Sequence, residues 1–464
     1  MSKAIKAIDE SSVHRICSGQ VVLDLATAVK ELVENSLDAG ATAIGKCKKI
    51  LKTDNERHSI LSLRMARYID VRFKDYGVES LEVIDNGSGL DPSDYETLGK
   101  CPCSAKFKLF MSLIAPALKH YTSKISKFED LEEVATFGFR GEALSSLSAL
   151  ANLTVTTSTA TQSPTGYRIE YNVNGRLKTK QSIARSTGTS IQLTNLFHSL
   201  PVRHKEFKKN IKREFTKALN MIQAYAIISP NVRIVASNQL SKGPSNKILN
   251  CNANKTIREN IANIFGAKAI AQLMPVDLTL PENQIKMMED QGNDDSKQIK
   301  IIGFITKPIW GHGRSSADRQ YMFINGRPCS LPKITRTLNE IFRSFISNQY
   351  PFAALDFRIP NGEFDINVSP DKRTVFIHNE KWISDQFAVC LVNYDSGRLA
   401  AYTYGTLYRL QEQLNQLLEP SRYTLPTNEL TGSTDLVDEP AAIGNISEST
   451  SKPLESEMDY SSKA

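Results

Sequence analysis

Lys30-Glu31-Leu32-Val33-Glu34-Asn35-Ser36-Leu37-Asp38-Ala39-Gly40 is the stretch on which the reading of the chain turns. Apolar residues Leu25, Ala28, Val29, Leu32, Val33 and Leu37 recur at helical spacing from Asp24 onward, and Gly40 stands where a left-handed C-terminal cap is wanted. On such a helix the Glu31 carboxylate and the Asn35 amide share a face, one turn apart. A carboxylate there can take a proton from an attacking water, and an amide oxygen one turn on can ligate a Mg2+ held between phosphates. The pairing suits ATP hydrolysis, although Glu and Asn at this spacing more often make a solvated helix face.

Working outward, Asp70 to Lys74 and Ser80 to Ile84 read as strands around a Tyr76-Gly77 turn, ending in Asp85-Asn86-Gly87-Ser88-Gly89. Gly87 and Gly89 let backbone approach a flat ligand, and Asp85 can accept a hydrogen bond from an exocyclic amine. The same string also fits a routine hairpin turn. Thr136-Phe137-Gly138-Phe139-Arg140-Gly141-Glu142-Ala143-Leu144 places glycine-flanked Arg before a helix-forming run, where free N–H groups can cradle phosphates. Strands follow at Leu153–Thr157, Tyr167–Val173 and Ile191–Leu193, the last opened by Gly188-Thr189.

Between Phe207 and Ile222 one apolar helical face is flanked by Arg203, Lys208, Lys209 and Lys212, a rim that can follow a nucleic-acid backbone or simply solvate the helix. A second α/β set is expected from Ser229, with strand Arg233–Ala236, helix Thr256–Phe265, strands Lys300–Thr306 and Gln320–Ile324, helix Leu331–Phe345, and strands Ala353–Ile359 and Phe364–Val368. Lys372 opens a last short strand. Beyond Leu418 the apolar periodicity fades, so disorder is expected for 419–464.

Length and composition set the bounds. At 464 residues, 41% hydrophobic and 23% charged, two or three globular domains are expected. A net charge of +7 permits a nucleic-acid partner without demanding one. Seven cysteines without a C-x-x-C pair argue against a disulfide framework or zinc site and favour a reducing compartment. No signal peptide or membrane-spanning run is read, so no membrane partner is expected.

Taken in order, Glu31 to Ala39, Asp85 to Gly89, His120-Tyr121-Thr122-Ser123-Lys124-Ile125, Gly138 to Leu144 and Gly188-Thr189 resemble the motifs of the MutL mismatch-repair ATPases. Several are shared with gyrase-type topoisomerases, histidine kinases and heat-shock chaperones, while Phe139-Arg140-Gly141-Glu142-Ala143-Leu144 singles out MutL. Ile16-Cys17-Ser18-Gly19-Gln20 and Leu200 to Phe207 look most like the eukaryotic Pms-type branch. The resemblance spans roughly residues 1 to 380. It implies an α+β architecture: a GHKL (Bergerat) two-layer α/β sandwich over 1–225, then a ribosomal-S5-like transducer domain over 226–418.

The resemblance also implies roles. Glu31 would be the general base, Asn35 the Mg2+ ligand and Asp85 the adenine partner, with Asp38, Ala39, Gly87 and Gly89 lining the nucleotide. Thr122, Ser123 and Lys124 would lie in a lid, Gly138 to Leu144 would cradle the phosphates, Thr189 would support adenine, and Lys372 would reach the γ-phosphate from the second domain. ATP and Mg2+ would be the cofactors. A second MutL-family subunit, MutS-type proteins and DNA would be the partners, and the nucleus the compartment.

Two features depart from that pattern. Gly40 to Cys47 nearly spells a P-loop, but Cys47 replaces the Mg2+-binding hydroxyl and a helix, not a strand, precedes it. Ile44 would ordinarily run into Asp70 and Leu98 into Ala117, so 45–69 and 99–116 are extra. Both open with Gly-Lys-Cys, whose codons can contain GTAAGT, the usual start of an intron. A third break is expected within 380–405. The insert before Asp70 threatens to displace strand register. No C-terminal dimerisation or endonuclease motif is read, so a truncated ATPase is expected, with a non-catalytic binding partner or a non-functional intron product as alternatives.

Overall fold

The computed structural model describes residues 10–47, 67–96, 98, 143–241, 243–280, 298–309, 311–360, 362–366, 368–369 and 372–394. The expectations for 99–116, for Thr122, Ser123 and Lys124, for Gly138 to Glu142 and for the tail 419–464 fall outside these residues.

The chain opens with helices α1 (Glu10–Val21) and α2 (Leu25–Cys47). Strands β1 (Arg67–Lys74) and β2 (Ser80–Asp85) pair antiparallel around a 3-10 turn, followed by helix α3 (Ala143–Leu150). Strands β3 (Asn152–Ser158), β4 (Thr165–Tyr171), β5 (Leu177–Ala184) and β6 (Gly188–Thr194) follow, then helices α4 (Pro201–Lys209) and α5 (Ile211–Ile228) and strands β7 (Val232–Gln239) and β8 (Ser245–Cys251). These eight strands form one sheet in the order β5-β4-β3-β6-β2-β1-β7-β8. Alternation sends Ile69, Val71 and Phe73 inward from β1 and leaves Arg72 and Lys74 exposed. Helices α2, α3 and α5 cover the apolar face through Leu25, Val29, Leu32, Leu147, Leu150, Phe215 and Ile222.

The boundary expected at 225/226 therefore moves. Strand β7 pairs parallel with β1 from Arg67↔Val232 to Lys74↔Gln239, and β8 extends the same sheet. A helix followed by a strand reads as the start of a new unit, but here it is the crossover that returns the chain to the first sheet's edge.

Two helical expectations are also corrected. Gly40 does not cap α2, because the residues that follow continue the helix to Cys47; a Cβ on Gly40 would lie 3.0 Å from Arg67 Cδ. The single helix expected over Phe207–Ile222 is two helices broken at Asn210, whose φ of −104° and ψ of 19° leave the helical region. Residues 380–394, inside the suspected third break, form helix α9 (Glu380–Tyr394), burying Ile383, Phe387 and Leu391 at intervals of four.

The second core is built from helices α6 (Ile257–Phe265), α7 (Ala267–Ala271) and α8 (Pro332–Phe345) with α9, around a sheet of order β12-β11-β13-β10-β9. Its strands are β9 (Leu273–Thr279), β10 (Lys300–Thr306), β11 (Gln320–Ile324), β12 (Arg327–Cys329) and β13 (Ala353–Arg358). The strand expected over Phe364–Val368 shrinks to β14 (Phe364–Asp365), paired with β15 (Phe376–Ile377). Lys372 sits before β15 in a left-handed turn with φ of 54°. Ala224 and Ile227 of α5 pack with Ile261, Tyr321, Phe323 and Phe352, so one helix serves both cores.

Register in β1 is intact despite the insert. Ile69 is 2% exposed and pairs with both Asp85 and Ile234, which puts an isoleucine in the slot directly before Asp70.

Candidate active site

The inward face of the first sheet changes character at one end. Leu81, Leu193 and Leu153 lie across β2, β6 and β3 as one rung, and Val83, Ile191 and Val155 as the next. The third rung is Asp85, Thr189 and Thr157, buried but polar. Asp85 Oδ1 accepts N–H groups from Gly87 at 2.9 Å and Thr189 at 3.2 Å, and Oδ2 accepts the Ser36 hydroxyl at 3.0 Å from α2. The Thr157 and Thr189 hydroxyls are 3.2 Å apart. Burial raises the Asp85 carboxyl above its ordinary range despite these donors.

Glycines let this rung meet its neighbours. A Cβ on Gly87 would fall 2.8 Å from the Ala39 Cβ, so the loop after β2 rides directly on α2. At Gly89, φ is 76° and a Cβ would fall 2.2 Å from the Ser158 carbonyl oxygen. Along Leu25 to Gly40 every residue is buried except Asn35 and Ala39, which are partly exposed, four residues apart and in line with Glu31.

Glu31 itself is buried in an ion-pair group. Its Oε1 lies 3.1 Å from Lys30 Nζ and its Oε2 lies 3.9 Å from Lys372 Nζ, which arrives from the second sheet's side. Lys30 Nζ also donates to Glu34 at 2.9 Å. Glu34 Oε1 accepts the Tyr225 hydroxyl of α5 at 2.5 Å and lies 3.6 Å from Arg327 Nη1 of β12. Burial alone would raise the Glu31 carboxyl, but Lys30 and Lys372 hold it below the ordinary glutamate range. Burial pulls Lys372 below the ordinary lysine value, against the attraction of Glu31 and Glu34. Among the described residues, Lys30, Arg327 and Lys372 lie within ion-pair distance of Glu31 and Glu34.

The other predicted residues divide. Asp38 is buried on α2, and Ala143 and Leu144 open α3. Arg203 does not face solvent as a rim residue: it donates to the carbonyl oxygens of Gly19 at 2.7 Å and Val22 at 3.2 Å and ties α1 to α4. Lys208, Lys209 and Lys212 are exposed. Sequence reasoning missed Ser36, Thr157, Lys30, Glu34, Tyr225 and Arg327. Alternation counted from Asp85 and Thr189 points to Thr157, whereas nothing local marks Tyr225 or Arg327.

The eight-stranded sheet backed by α2, α3 and α5, followed by the smaller second sheet, is an ATPase fold of the GHKL class with an S5-like transducer unit. A family model described as histidine kinase-, DNA gyrase B- and HSP90-like ATPase matches residues 23–200, and one described as DNA mismatch repair protein, C-terminal domain, matches 261–393. The chain is 42% identical over 384 residues to mismatch repair endonuclease PMS2 of Gallus gallus, covering 82% of this chain and 39% of that protein. It is 43% identical over 376 residues to DNA mismatch repair protein pms1 of Schizosaccharomyces pombe, covering 81% and 39%. A crystal structure of the N-terminal domain of a DNA repair protein superposes with a TM-score of 0.66 at 38% identity, covering 84% of this chain and 99% of that one. The chain belongs to the MutL family of DNA mismatch-repair proteins, in its eukaryotic Pms-type branch. It spans about two-fifths of the length of the curated relatives it matches.

Proposed function

We propose that the chain binds and hydrolyses ATP and couples hydrolysis to conformational change during mismatch repair. The observation that carries this reading is the approach of Lys372, in the turn before β15, to Glu31 of α2, 3.9 Å apart and both buried. A general base needs a neighbour that leaves when the reacting phosphate arrives, and a partly desolvated lysine is suited to follow a γ-phosphate.

Asp85 accepts the adenine amine, with Thr189, Gly87 and Gly89 around the base and Asp38 and Ala39 beside it. Glu31 takes the proton of the attacking water. The residues fit Mg2+ as a phosphate-bound ion: among the described residues no group of three His, Cys, Asp or Glu could hold a metal, and Asn35 offers one oxygen on the open stripe. Bound there, Mg2+ neutralises phosphate charge. The segment 138–144 supplies phosphate donors, and Thr122, Ser123 and Lys124 the lid. Exposed Lys208, Lys209 and Lys212 contact DNA, a second MutL-family subunit closes the clamp, and MutS-type proteins and a nuclear setting follow from the family. The ATPase unit runs to Cys251 and the transducer unit from there to 418.

Single-turnover hydrolysis of Mg-ATP tests the reading. Glu31→Ala keeps nucleotide binding and loses about a hundredfold or more in rate. Binding without any Glu31-dependent turnover rejects catalysis.

A further inference from the structure

The ion-pair group around Glu31 contains more than its proposed role requires. Lys30 is wholly buried, yet its ammonium is divided between Glu31 at 3.1 Å and Glu34 at 2.9 Å. Glu34 is in turn held by Tyr225 from α5 and Arg327 from β12. With Lys372 and the buried Cys329 thiol of β12, which feels Arg327, Glu34 and Lys30, these are charged and titratable groups of the cluster among the described residues, contributed by α2, α5, β12 and the turn before β15.

We infer that Glu34 is a positioning residue for Glu31: it draws Lys30 partly away from the base, to a degree set by Arg327 of the second sheet. The inference rests on Glu31 being the base of ATP hydrolysis. Once Lys372 turns toward a phosphate, Lys30 is the remaining close cation on Glu31. A base fully paired with a buried lysine is a weak base, and one with no cation is protonated too easily. Sharing Lys30 with a second carboxylate gives Glu31 an intermediate state. Arg327 and Tyr225 keep that second carboxylate from taking Lys30 entirely. The seating of β12 against α2 thereby reaches the base without touching nucleotide.

The test is the acid limb of single-turnover hydrolysis by the full chain with Mg-ATP. In Glu34→Gln, Lys30 pairs with Glu31 alone, so the limb moves to lower pH and the plateau rate falls. Lys30→Met leaves burial unopposed at close range, so the limb moves to higher pH. Arg327→Met frees Glu34 to take Lys30 and moves the limb up, and Arg327→Lys restores part of the shift. Tyr225→Phe keeps the packed ring and moves the limb in the same upward sense, so the idea stays testable if the charge variants fail to fold. Well below the limb, a shift of one unit changes the rate about tenfold. A limb that stays fixed while rates fall, or that moves the same way in Glu34→Gln and Lys30→Met, overturns the inference and leaves only a scaffold. Those outcomes differ from failure of the underlying reading, in which the unaltered chain shows no Glu31-dependent turnover at all.

Discussion

Asp85 and Glu31 are two buried carboxyls in one site with opposite titration behaviour, and their residue-level chemistry follows from that difference. Burial raises Asp85, while Lys30 and Lys372 outweigh burial at Glu31 and lower it. For Asp85 the native state binds more protons than the unfolded chain, so its contribution is full below the ordinary aspartate value and is lost as pH rises through the folded one. For Glu31 the sign reverses: its contribution is present above the ordinary glutamate value and is lost as pH falls through the folded one. Asp85→Asn should therefore raise the melting temperature of the nucleotide-free protein at neutral pH, since the amide oxygen still accepts from Gly87 and Thr189. It should also abolish the melting shift that ATP produces, because the amide's own N–H groups then compete with the adenine amine. Thermal unfolding with and without nucleotide reads both effects, and a retained ATP shift would remove Asp85 from the adenine site. The shared face of Glu31 and Asn35 was legible because one helix sets their spacing. Glu34 was not, because its role depends on Tyr225 and Arg327, which only the folded chain brings to it.

Elements were legible where a local apolar pattern settles them and illegible where that pattern is absent. Strands β1, β2, β3 and β6 alternate cleanly, and the structure forms them within a few residues of the expected bounds. The polar and half-exposed strands β5 and β8 carry no such pattern and were missed. The insert at 45–69 was expected to threaten register, yet Ile69 occupies the core slot beside Asp85. Removing 45–69 would join Ile44 to Asp70 and place an identical side chain in that slot. The shortened chain should fold with the same sheet, let Gly40 end α2, and gain roughly 1 kcal/mol from the smaller loop-closure cost. Thermal unfolding and amide exchange across β1 and β2 check this. A large loss of stability would mean that residues of the insert contribute contacts the core needs.

At the scale of the whole molecule, α5 and Lys372 link the two sheets. Helix α5 gives Phe215 and Ile222 to the first core and Ala224 and Ile227 to the packing with β11, so one helix is shared by both cores. Lys372, in its left-handed turn, lies 3.9 Å from Glu31 at the same junction, and in the function proposed above a γ-phosphate competes with Glu31 for its charge. A ligand moves such an equilibrium only by the difference in its affinity for the two states, and ADP has no group to offer Lys372. A nonhydrolysable ATP analogue should therefore stabilise the full chain more than ADP does, each at a hundred times its dissociation constant for a state in which Lys372 is not engaged. A tenfold difference in affinity corresponds to about 1.4 kcal/mol, added to the roughly 2.7 kcal/mol that such saturation gives by itself. In Lys372→Met the two nucleotides should become equivalent while both still bind, since Asp85 and the helix carrying Asn35 are untouched. Dimerisation should follow the same order, favoured by the analogue over ADP in the unaltered chain and indifferent in the variant. Equal stabilisation and equal dimerisation with ADP and the analogue in the unaltered chain would show that Lys372 does not report the γ-phosphate, and the coupling would have to run through α5 alone.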